Sequence, residues 1–129
     1  MDRHIEATLN RPKGERILDT GLARVNIQER IEQLKEENAW AKNDRNSITI
    51  FKTDRISIVL IAMHKGATIN PHISEGVMCL QMLSGKIKFA TNQAAVELKK
   101  EEFVIIHKGI EHDIEALEEN IFLLTIANI

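Results

Sequence analysis

Cysteine is almost absent from this chain. Cys79 stands alone, so no intramolecular disulfide can staple the fold, and the thiol reads as a small apolar residue inside a strand. Net charge is also nearly absent. Seventeen Lys and Arg against nineteen Asp and Glu leave -2, which removes the electrostatic case for a nucleic-acid partner. No long apolar run exists: the longest uninterrupted one, Ile58 to Met63, is far short of the roughly 20 residues that cross a bilayer. The opening MDRHIEATLNRPKGER is charged throughout and lacks the apolar centre of a secretory signal. These absences predict a soluble cytoplasmic protein with no membrane partner. Internal repeats, low-complexity tracts and linkers are missing as well. So are a G-x-S-x-G elbow, a glycine-rich phosphate loop and a cysteine close to a histidine. Ser74 lies near His72, but a hydrolase nucleophile also needs an orienting acid and an oxyanion hole, and neither is signalled.

What is present suits one domain. A length of 129 residues allows a single modest core, and 43% apolar with 28% charged residues is ordinary for a globular chain. The charge is uneven: Glu97 to Asn120 carries eight acids against three lysines, which reads as a solvated acidic face. Residues 1–45 read as an N-terminal arm and helix belonging to the same domain, and residues 46–129 as a barrel. Pro12, Gly14 and Gly21 punctuate the arm, with Leu22, Val25 and Ile27 as docking points on its own domain or on a partner subunit. Asn26 to Ala41 is the one good helix. Asn26 is placed to cap it with Glu29 three residues on, and Ile27, Ile31 and Leu34 form a narrow apolar stripe.

From Asn46 the period changes to two. Ile48 and Ile50 alternate with Thr49 and Phe51, and Arg55–Met63 and Val77–Leu83 are almost wholly apolar. Ser84-Gly85 turns the chain into Lys86–Ala90, and further strands lie around Val96 and Leu98, then over Phe103–Ile106, His112–Ala116 and Ile121–Ala127. About eight short strands with turns every eight to twelve residues predict an antiparallel sandwich or barrel. Strands apolar on both faces predict two buried surfaces, one in the barrel and one against a second sheet or subunit.

The chain has five histidines, His4, His64, His72, His107 and His112. His64 ends an apolar strand and reads as a surface residue, and His107 as a turn residue at the barrel mouth. Around His72 and His112 the sequence resembles the cupin superfamily, small double-stranded β-helix (jelly-roll) barrels, over about Ser47 to Ile126. In the first cupin motif, G-x5-H-x-H-x3-4-E-x6-G, Gly66, His72 and Gly85 match, while Ser74 takes the second histidine position and Met78 the glutamate position. In the second, G-x5-P-x-G-x2-H-x3-N, Gly109 and His112 match. Glu101, His107 and Ala116 stand for its first glycine, proline and asparagine.

The resemblance implies an all-β cupin barrel with an N-terminal arm and one short helix, and a homodimer. It also implies what has been lost. Metal-binding cupins use three histidines and a glutamate, and two of those four positions are changed here. Even a minimal non-haem iron site needs two histidines and a carboxylate, and a thioether such as Met78 suits Cu(I) better than Fe(II) or Mn(II). The favoured expectation is a metal-free barrel, without cofactor, that binds or senses a small organic ligand. Its pocket would be lined by His72, Ser74, Met78, Leu80, Met82 and His112. The alternative is a metal-dependent enzyme of the dioxygenase, isomerase or decarboxylase kind, with a divalent ion on His72, His112 and Glu75 from the loop before Met78.

Overall fold

The computed structural model describes residues 21–128. Most of the expected arm, including His4, lies outside them. Two helices come first, α1 (Ile27–Glu36) and α2 (Asn38–Lys42). Nine strands follow: β1 (Arg45–Lys52), β2 (Ile56–Met63), β3 (Thr68–Ile73), β4 (Val77–Ser84), β5 (Lys86–Thr91), β6 (Ala95–Lys99), β7 (Phe103–Ile106), β8 (Glu111–Ala116) and β9 (Asn120–Ala127). They form two antiparallel sheets, in the order β1-β2-β9-β4-β7 and β3-β8-β5-β6, the jelly-roll barrel that the cupin resemblance implies.

Strand alternation produces two cores. On β2 and β9, Met63 and Phe122 point into the barrel, where they join Met78, Leu80 and Met82 of β4 and Ile87 and Phe89 of β5. The intervening Leu60, Ala62 and Ile121 point the other way and pack with Ile48, Ile50 and Leu34. The outer core is therefore covered by the helices rather than by a second sheet. Leu34 is the one fully buried helical residue, with Ile31 and Trp40 half-buried beside it. Leu22, Val25 and Ile27, expected as docking points, are exposed.

The expected single helix is two. Asn26 caps α1 as its side chain predicts, accepting from the Glu29 amide at 2.9 Å. The break comes from a distant residue. Buried Asn46 on β1 donates its amide to the Leu34 carbonyl at 3.0 Å and to the Glu37 carboxylate at 2.9 Å. A continuous helix would use the Leu34 carbonyl for the amide four residues on. Glu37 instead turns extended (ψ 145) and the chain restarts as α2.

Strand β3 was not legible. It is an edge strand with five of its six residues exposed, its register slips between Ile69 and His72, and Pro71 inside that slip has no amide to donate. His72 consequently sits near the end of β3.

Three motif glycines, Gly66, Gly85 and Gly109, have positive φ, and the sole non-glycine to do so among the described residues is Glu101 (φ 74), which stands where the second motif begins with glycine. The backbone there adopts a conformation that glycine would favour. For a residue with a β-carbon this costs about 1–2 kcal/mol, partly offset by the chain entropy that glycine loses on folding. Glu101→Gly is therefore expected to raise stability by up to about 1 kcal/mol in urea unfolding. Gly85→Ala should lower it by at least that much, because a β-carbon there meets the backbone of Glu119 and Asn120 as well as an unfavourable φ.

Candidate functional site

His112 is the second residue of β8. Alternation sends it inward with Ile114 and Ala116, while Glu111 and Asp113 face away, as expected. Pairing of β3 with β8 sets His72 directly opposite His112. Their rings meet edge to face, with centroids 4.2 Å apart and planes at 60°. On its other side His112 stacks on Phe89, centroids 5.4 Å apart and planes at 11°. Phe89 shares a strand face with Ile87 by its period, but no motif position marks it as a site residue.

The two rings share a polarity. His112 Nδ1 lies 3.1 Å from the Ile110 carbonyl, and His72 Nδ1 lies 3.1 Å from the Asn70 carbonyl. A carbonyl oxygen only accepts, so each Nδ1 carries the proton and each neutral ring keeps a bare lone pair on Nε2. His112 Nε2 is buried and has no hydrogen-bond partner among the described residues. Burial holds the His112 pKa below its ordinary value, and His72 beside it adds to the lowering. His72 is exposed while His112 is 1% exposed, so the pair runs from solvent into the barrel along an edge strand.

The other expected site residues fare unevenly. Met78, Leu80 and Met82 are buried on the same inner core as Phe89, as their alternation predicts. Ser74 is buried, but its hydroxyl is committed to a turn, donating to the Gly76 carbonyl at 2.9 Å and accepting from the Gly76 amide at 3.3 Å. Glu75 is exposed in that turn, and no group of three His, Cys, Asp or Glu side chains able to hold a metal occurs among the described residues. The expectation of Glu75 as a third ligand is therefore not met: the Ser74–Gly76 turn leaves it in solvent. The fit to a divalent ion is poor, since two imidazole lone pairs without a carboxylate leave most of its coordination shell to water. Among the other histidines, His107 is exposed at its turn, whereas His64 is half-buried against Trp40.

A buried neutral histidine links stability to pH with a definite sign. The unfolded chain takes up a proton near pH 6.5, while the folded state resists it until the pH is lower. Stability is thus full above about pH 6.5 and falls as the pH drops below it. The His112 imidazole signals should titrate below pH 6.5 in NMR. His112→Gln should flatten the acid limb of a stability–pH curve measured by urea unfolding.

No family profile matches the chain, and no curated protein matches it. Likeness appears among solved structures. A conserved protein of unknown function from Streptococcus pyogenes is 23% identical, over 68% of this chain and 77% of its own, with a TM-score of 0.64. A cupin superfamily protein from Desulfitobacterium hafniense is 18% identical over 66% and 78%, with a TM-score of 0.64. A cupin-2 domain protein from Shewanella frigidimarina covers 80% of this chain and 93% of its own at 15% identity and a TM-score of 0.65. The two sheets, the strand order and these likenesses agree: the chain has the fold of the small RmlC-like cupins.

Proposed function

We propose that the barrel is a metal-free binding or sensing module for a small neutral organic molecule that carries a hydrogen-bond donor. The partnerless Nε2 of His112 carries this reading. A buried polar atom without a partner costs about 1–3 kcal/mol, and a ligand hydroxyl or amide N–H would recover much of that. His72 would offer a second acceptor at the rim, and Met78, Met82 and Phe89 an adaptable apolar surface below. Two neutral acceptors disfavour carboxylates and phosphates, which bring only further lone pairs.

One observation favours the metal-dependent alternative: both Nδ1 atoms are bonded to backbone carbonyls, the usual second bond of a metal-ligating histidine. The missing third ligand weighs against it. A cytoplasmic setting belongs to the same proposal, supported by the single unpaired Cys79 and by the lack of any helix among the described residues long and apolar enough to cross a membrane. So does pairing of two copies. Phe103 and Ile105, 57% and 62% exposed, lie on β7, an edge strand of the larger sheet, and such apolar edges are normally covered.

Small neutral alcohols and amides, titrated against the protein, should shift the His112 imidazole signals, while carboxylates of the same size should not. His112→Ala should weaken the binding about tenfold, the loss of one good hydrogen bond. Retention of stoichiometric Fe, Mn, Ni or Zn after dialysis, lost in the His72→Ala/His112→Ala double variant, would favour the enzyme instead. Light scattering should give a dimer mass that Phe103→Lys reduces to a monomer.

A further inference from the structure

We propose that Trp40, His64, Glu119 and Lys35 form a proton-operated latch that holds the two helices on the outer face of the barrel. The helices need one. α2 buries no residue and has no side-chain cap, and α1 buries only Leu34. Besides the Asn46 hydrogen bonds, a cluster gathered from four places in the chain adds a polar hold on this cover. His64 follows β2 directly, and its imidazole stacks on the Trp40 indole of α2 with centroids 3.6 Å apart and planes at 21°. Its Nε2 lies 2.8 Å from the Trp40 carbonyl, and its Nδ1 lies 3.5 Å from Glu119 Oε1 in the turn between β8 and β9. The other Glu119 oxygen is 3.5 Å from Lys35 Nζ in the last turn of α1, and that ammonium stands 6.0 Å from the Trp40 ring.

Both partners of the His64 ring are acceptors. A carbonyl oxygen and a carboxylate can both be satisfied only by a ring that donates from both nitrogens, the imidazolium. The neutral ring keeps one bond and turns a lone pair to the other acceptor. Glu119 would then hold Lys35 alone, and the link from the helices through His64 to the last turn of the barrel would be cut. The remaining charges nearby do not substitute. Asp44, whose carbonyl accepts from the His64 amide at 2.9 Å, has its carboxylate occupied by Arg45 at 2.9 Å and 3.2 Å. Lys65, next in the chain, can donate but not accept. The latch is closed when both His64 nitrogens carry protons and loosens when one of them is bare.

The sole tryptophan of the chain sits in the latch, so emission reports ring contact directly. Contact alone is not enough, because a charged imidazole quenches an indole whether or not it holds a helix. Amide exchange therefore supplies the second readout. Protection factors of α1 and α2, corrected for intrinsic exchange and referred to amides of β4 and β9, should be about two- to five-fold higher at pH 5.5 than at pH 8, the size expected for a half-exposed charge-assisted bond. His64→Gln, which can still donate to the Trp40 carbonyl, should abolish the pH dependence of both signals. Glu119→Gln should leave the emission change and remove the difference in helix protection. Helix protection that is flat across this range, or a difference that persists undiminished in His64→Gln, would overturn the proposal.

Discussion

The fold depends on the pleat of β2 and β9, the paired strands that build both cores. Met63 and Phe122 face the barrel interior while Ala62 and Ile121, one residue away, face the helices. Because side chains alternate with a period of two, a slip of one residue would exchange the contents of the two cores at once. Neither core would then fit its cover. The register, Leu60 against Leu123 and Ala62 against Ile121, is therefore specified from both sides of the sheet. Few strands of a small barrel have this double constraint, and it explains why β2 and β9 are apolar along almost their whole length.

Most of this was legible in the sequence, and for identifiable reasons. The apolar runs of β2, β4 and β9, the inward period of Ile87 and Phe89, and the glycines at 66, 85 and 109 are local signals, and the structure honours each of them. What could not be read depends on distant partners. Nothing in the stretch Asn26–Ala41 announces that Asn46, from the next element, takes a helical carbonyl and splits the helix. Exposed β3 lacks an apolar face, so its ladder with β8 is its main mark of being a strand. His64 reads as a strand-end surface residue because its partners, Trp40 and Glu119, lie far from it on opposite sides along the chain.

The site divides in the same way. The cupin-like motifs pair His72 with His112, and the register of β3 on β8 sets them opposite each other. Spacing could not tell that Ser74 spends its hydroxyl on a turn, or that Phe89 backs His112. Glu101 shows a backbone demand overriding residue preference. It adopts a left-handed conformation (φ 74) that glycine would take more easily, with its amide bonded to the Met82 carbonyl at 3.2 Å. The barrel sets two imidazoles beside thioethers, with no third His, Cys, Asp or Glu near enough to complete a metal site among the described residues.

The outer core also has a consequence for the order in which the molecule can assemble. Leu34 comes from the first described helix and Ile121 from the last strand, so this cluster closes only when chain segments far apart in sequence have met. Contacts of such long range are slow to form, because loop closure must be accomplished before they repay it. During synthesis the helical cover would meet β1 and β2 first, and the free edge of β2 would then wait unpaired until β9 arrived. That interval, more than any property of the finished barrel, is when a chaperone would find something to hold.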